Sequence, residues 1–147
     1  MTMLALLPAC SSFHASAGES PAEACAPANE GKTVSVAGYL VQPFFSLDCE
    51  KSCYLWLSAS SGEEAGIYAH FTAGPGPNQM RPIRGKGSLT GAGAERVAKS
   101  AFHLQDDTGK RSFGIDDTVR VTGVLTTKTE AGKLSCRLEV ARVEAAP

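Results

Sequence analysis

The sequence carries no Gly-x-Ser-x-Gly elbow and no His-Glu-x-x-His pair. It therefore lacks the exposed serine of an α/β-hydrolase and the paired histidines of a zinc-protease helix. Histidine is scarce, at three in the chain. Only His70 and His103 fall in the part expected to fold, and a lone histidine is more often a surface or capped residue than a general base. Net charge is nearly absent as well: a formal −1 over 147 residues exerts no global pull on nucleic acid or an anionic membrane. Cys-x-x-Cys is missing, which removes the usual redox dithiol. Paired-knuckle spacing is missing too, so a zinc site would have to recruit His70 or His103 as a fourth ligand. Asp106-Asp107 and Asp116-Asp117 do not extend into an EF-hand pattern and read as strand-end turns. Arg84-Gly85-Lys86-Gly87 lacks the spacing of a phosphate-cradling loop. From these absences we expect a non-enzyme without catalytic residues, metal or cofactor.

Long apolar runs are also lacking at the N-terminus. Met3–Ala9 is far too short to span a bilayer, and no Lys or Arg precedes it. The run is expected to be a signal-peptide remnant over 1–9. Leu7-Pro8-Ala9-Cys10 resembles the lipobox of bacterial lipoproteins, which implies a lipid on Cys10 and membrane contact only through that anchor. Residues 10–31 are rich in Ser, Ala, Pro, Glu and Gly, without either hydrophobic period, and read as a flexible linker. The expected folded domain is 32–144, with a tail at 145–147.

What the chain does have is glycine and proline, 15 and 8, in short segments that alternate. That composition favours a β-rich fold over a helical bundle. Five strands are expected. The first is Thr33–Val41, with Val34, Val36 and Leu40 inward and Gly38 at a bend. The second is Cys53–Ser58, with Cys53, Leu55 and Leu57 inward. The third is Gly66–Thr72, with Ile67, Ala69 and Phe71 inward. The fourth is Asp117–Leu125, with Val119, Val121 and Leu125 inward. The fifth is Leu134–Val140, with a phase change that predicts a bulge near Ala141. Phe102–Leu104 would add a brief strand, and Glu95–Ala101 a short helix, within the long connection from Ala73 to Asp116. The fold class is all-β, with the outline of a five-stranded Greek-key barrel of the OB type.

Five cysteines are present. With Cys10 lipidated, Cys25, Cys49, Cys53 and Cys136 form an even set, which outside the cytosol suggests disulfides. Cys49–Cys53 closes only over a tight turn. Cys53 and Cys136 share core parity on their strands, so Cys53–Cys136 is a rival pairing.

The same alternation turns every Tyr and the one Trp outward. Tyr39, Tyr54, Trp56 and Tyr68 share the outer face, and His70 joins them. Phe44 and Phe45 lie in one flanking loop, Gln42–Ser52, and Thr126–Lys133 is the other. Such a face suits stacking against bases or sugars. Alternatively, the Ala73–Asp116 connection folds over it and makes the rings a second small core. Arg81, Arg84 and Lys86 make the connection basic, ready either to meet an anion or to pair with the acidic half of the chain.

Thr33–Val41, GPGPNQM at 74–80 and GIDDTVRVTGVL at 114–125 resemble small bacterial OB-fold proteins, among them lipoproteins of unknown function. The Val-Arg-Val-Thr-Gly pattern is similar to strands four and five of nucleic-acid-binding OB families. The resemblance implies a binding module of the cell envelope, in the periplasm or on the outer membrane, or else secreted. Its partner would be an oligosaccharide, a single-stranded nucleic acid, an anionic lipid or a protein. A structural or protein-interaction role without a small-ligand site is the alternative.

Overall fold

The computed structural model describes residues 19–43, 49–83 and 98–147. The described chain is mostly strand: β1 (Thr33–Val41), β2 (Ser52–Ser58), β3 (Ile67–Thr72), β4 (Leu104–Gln105), β5 (Ser112–Phe113), β6 (Thr118–Glu130) and β7 (Lys133–Ala145). A single-turn helix, α1 (Pro21–Ala24), precedes them. Five strands form one closed sheet in the order β1-β2-β3-β7-β6, with β6 pairing back to β1. Every pairing in it is antiparallel except β3 with β7.

Alternation accounts for the interior. Val36, Leu40, Leu55, Leu57, Ile67, Ala69, Phe71, Val119, Val121, Leu125 and Leu138 are fully buried in one cluster. β1 serves two neighbours, pairing with β6 from Thr33 to Tyr39 and with β2 from Tyr39 to Val41. Gly38 sits at the change, where an added Cβ would stand 2.7 Å from the Ser58 carbonyl oxygen. The bulge expected near Ala141 is present. Gly123 faces Val140 while Thr122 faces Arg142, so Ala141 has no opposite residue. The extra residue restores Val143 to the core after Leu138.

Three expectations about the chain's path need correction. The linker reading of 10–31 does not hold from Glu19 onward. Glu19 adds to the free edge of β1, its N–H donating to the Ser35 carbonyl (2.8 Å) and its carbonyl accepting from the Ala37 N–H (2.9 Å). Ser20 and Glu23 then form a reciprocal capping box on α1, and Ala24 is fully buried. A segment without hydrophobic period is ordered here by edge hydrogen bonds and a covalent bond, and β7 runs on to Ala145. Secondly, Thr126–Lys133 is not a loop. β6 and β7 continue through it to a two-residue turn, Ala131-Gly132, with φ of 49° and 75°, the mirror-image turn that matches strand twist. Thirdly, of the expected Glu95–Ala101 helix the described residues show a 3₁₀ turn at Lys99–Ala101, while 95–97 lie outside them.

The disulfides are Cys25–Cys136 and Cys49–Cys53, which overturns the Cys53–Cys136 pairing. Shared parity puts Cys53 and Cys136 on inner faces, but Cys136 meets the incoming N-terminal segment. Two disulfides indicate an oxidising compartment outside the cytoplasm. Among the described residues no helix is long and apolar enough to cross a membrane.

The connection after β3 closes one end of the sheet. The Met80 N–H donates to the Thr72 carbonyl at 3.0 Å, and the Asp107 N–H to the Val143 carbonyl at 2.8 Å. Asn78 Oδ1 accepts from the Val143 N–H at 2.8 Å. Met80, Phe102, Leu104 and Phe113 are thereby buried against the main cluster.

Removing each disulfide should separate its role. Cys25–Cys136 closes a loop of sequence separation 111. Cys25→Ser with Cys136→Ser should lower unfolding free energy by about 4–5 kcal/mol by the loop-entropy estimate. Cys49–Cys53, of separation 4, should be worth about 2 kcal/mol on the same estimate. Denaturant midpoints measure both. Gly123→Ala, whose Cβ would fall 2.0 Å from the Glu139 carbonyl oxygen, should cost about 3 kcal/mol or more in the same assay.

Candidate functional site

Strand register assembles one continuous outer face. Trp56 on β2 stands opposite Tyr68 on β3, and Tyr54 opposite His70. The parallel seam then puts Tyr68 opposite Arg137 and His70 opposite Glu139 on β7. Two cross-strand rows result, one of Trp56, Tyr68 and Arg137, the other of Tyr54, His70 and Glu139. Side chains opposite one another on one face of a sheet are the unit of lateral contact.

The rings use that proximity. Tyr54 stacks on His70 with centroids 4.4 Å apart and on Tyr68 at 5.2 Å. Trp56 and Tyr68 meet nearly perpendicular, with centroids 4.7 Å apart, an arrangement that aromatic pairs favour. The Arg137 guanidinium lies over Tyr54, 4.7 Å from its centroid. Arg137 also holds Glu139, with Nε 2.9 Å and a terminal nitrogen 2.8 Å from Oε1. The other carboxylate oxygen, Oε2, sits 2.5 Å from His70 Nδ1. The result is a polar circuit, Arg137 to Glu139 to His70, laid against stacked rings. All four aromatic side chains of the cluster are half-buried.

Charge follows from this arrangement. Burial pushes the Glu139 carboxyl up, but the hydrogen bond and charge of His70, together with the Arg137 ion pair, outweigh it and hold it below the usual glutamate value. Burial first, then the charges of Tyr54 and Glu64, pushes the Tyr68 phenol up, so it stays neutral at physiological pH.

Of the residues singled out in the sequence, Tyr54, Trp56, Tyr68 and His70 come together. Tyr39 shares their outward parity, half-buried on β1 opposite Ser58 and Thr118. Arg81 belongs instead to the end-closing segment, where its N–H donates to the His103 carbonyl at 2.8 Å. Phe44, Phe45, Arg84, Lys86 and Cys10 lie outside the described residues. Arg137 and Glu139 were missed. The signal was present: the inward parity of Leu134, Cys136 and Leu138 turns both outward, but only the β3–β7 seam says which rings they meet.

The described parts of the Ala73–Asp116 connection pack at the end of the sheet. That connection frames an open cleft of about 420 Å³ lined by Lys99, Phe102, His103, Ser112 and Phe113. The cleft's cation, Lys99, is tied to Asp116 at 2.8 Å. Among the described residues no three His, Cys, Asp or Glu side chains converge on a point that could hold a metal, and a zinc site would need thiolates that the disulfides consume. Compared with protein-family models, curated proteins and solved structures, the chain matches none.

The Glu139 circuit is testable by titration. The carboxyl resonance of Glu139 should have its midpoint below 4.5, the ordinary value, and Arg137→Ala or His70→Ala should raise it. Because the folded value is depressed, the circuit's contribution to stability is present above the ordinary glutamate pKa and lost as pH falls through the folded one. Stability curves of wild type and Glu139→Gln should accordingly converge at acid pH.

Proposed function

We propose that this chain is a non-enzymatic binding module of the OB type, working in the bacterial cell envelope and tethered there by a lipid on Cys10. The strand order β1-β2-β3-β7-β6, the parallel third-to-last pairing and the long crossover before the final hairpin support the OB reading. The disulfides support the compartment.

One observation carries the binding role. The rings of β2 and β3 stand on the outside of a sheet whose interior is already filled by aliphatic residues. They form a platform with a polar margin of Arg137, Glu139 and His70. An extended ligand can lie across such a platform with its planar or apolar faces on the rings and its polar groups at the margin.

A second reading draws on the same rings. They are half-buried and stacked on one another, so they could act as a small outer core in a protein-interaction module without a small-ligand site.

Titration against neutral hexasaccharides, a single-stranded oligonucleotide and anionic vesicles, followed by Trp56 fluorescence, separates the two. The binding role requires at least one probe to shift the emission, and Trp56→Ala to weaken that probe by roughly fivefold or more, as expected for loss of about 1–3 kcal/mol of stacking. No shift with any probe, combined with poor acrylamide quenching of Trp56, favours the interaction reading instead.

A further inference from the structure

We infer that the occupant of the Trp56–Tyr68–Tyr54 face is a neutral oligosaccharide, not a nucleic acid, an acidic glycan or an anionic lipid. This rests on the binding role proposed above and adds the class of ligand.

The first argument is charge. A polyanion is held by Lys and Arg side chains that neutralise its phosphates or sulfates. Among the described residues the ring cluster contains one such group, Arg137, and both its planar face and its edge are committed. The face covers Tyr54 and the edge chelates Glu139. A phosphate approaching Tyr54 or Tyr68 would meet the Glu139 carboxylate, and Glu64 is near enough for its charge to disfavour ionisation of Tyr68. Arg137 and Glu139 carry opposite charges in direct contact, so this pair presents no net positive charge to a polyanion. Among the described residues the ring cluster thus offers no uncommitted Lys or Arg to hold the phosphates that the most familiar sheet platforms of this kind accept.

The second argument is complementarity. A neutral sugar ring has an apolar C–H face and a rim of hydroxyls. Stacked aromatic planes receive the first. Side chains with both donors and acceptors in fixed planes receive the second. Arg137 has five N–H groups and Glu139 about four lone-pair positions, more than their mutual contact uses. Thr126, exposed and opposite Arg137 across β6–β7, adds a hydroxyl to the same row. The circuit satisfies its own charges in the free protein, so a ligand of hydroxyls can join it without leaving a buried charge unpaired.

The third argument concerns lipid. Insertion into a bilayer needs protruding large apolar groups. Among the described residues Val124 is the exposed large hydrophobic, and it stands opposite Glu139 on the neighbouring strand.

The test titrates the full folded chain, followed by Trp56 fluorescence. The probes are neutral hexasaccharides of β-linked glucose, N-acetylglucosamine and mannose, a sulfated hexasaccharide, and a single strand of about a dozen nucleotides. At least one neutral hexasaccharide should bind, with affinity unchanged within about twofold between roughly 50 and 200 mM salt, and Tyr68→Ala should weaken it by fivefold or more. Glu139→Lys should create salt-dependent binding of the oligonucleotide where wild type shows none. If the sulfated sugar or the oligonucleotide binds wild type more tightly than every neutral sugar, the ligand class is wrong while the face remains a binding site. If no probe alters Trp56, the binding role itself falls, and this inference with it.

Discussion

Closure of the sheet rests on a short parallel seam, Tyr68–His70 of β3 against Arg137–Glu139 of β7. Without it the chain would be a three-stranded meander beside a long hairpin, each with an open edge. Open edges attract other strands and leave backbone groups unpaired. With the seam in place, each of the five strands has two neighbours and the aliphatic interior is enclosed. The same seam brings His70 within reach of Glu139 and lays Arg137 over Tyr54. Fold and candidate site therefore depend on one set of backbone pairings. A change that parts β3 from β7 would lose both, whereas a change confined to the outer side chains would leave the sheet intact.

β7 is secured a second time. Its Cys136 is bonded to Cys25, whose segment in turn covers the edge of β1 through Glu19. β1 needs that cover because it runs beside β6 alone up to Gly38 and pairs with β2 only over its last three residues. The acidic side chain of Glu30 extends the arrangement, accepting from both the backbone N–H and the hydroxyl of Thr127. Hydrogen bonding to Thr127 holds the Glu30 carboxyl below its ordinary pKa. A segment too polar to fold by burial is held by bonds to three strands, and the strongest of these requires an oxidising surrounding.

How much of this could be read from residues alone follows from the range of each interaction. Strand identity is local: Leu55 and Leu57 point in, so Tyr54 and Trp56 point out, whatever lies elsewhere. The phase slip between Leu138 and Val143 is equally local, and the bulge at Ala141 follows from it. The turn at Ala131-Gly132 is a local signal too, yet its strands extend further than their apolar pattern, because Thr127 and Thr129 pair as readily as valine. Nonlocal pairings leave no such trace. Cys25 finds Cys136 across nearly the whole fold, and parity alone favoured Cys53. Arg137 and Glu139 looked like ordinary outward polar residues of a last strand. Their placement beside the rings is a property of topology, and no pattern within Leu134–Val140 encodes it.

The position of the large rings follows from volume. A closed sheet of five strands has a narrow interior, and Phe71 with the aliphatic set already fills it. Tyr54, Trp56 and Tyr68 have no room inside, and their polar atoms would lack partners there. Placed outside, they still lose water by stacking on one another, which stabilises the face but restrains it. That restraint matters for binding. Rings held in register by their neighbours lose little freedom when a ligand settles on them, so more of the contact energy survives as affinity. The Arg137–Glu139–His70 circuit acts in the same direction on the polar side. It fixes donors and acceptors beside the rings before any ligand arrives, and Glu139 offsets the charge of Arg137 that would otherwise draw polyanions to the platform.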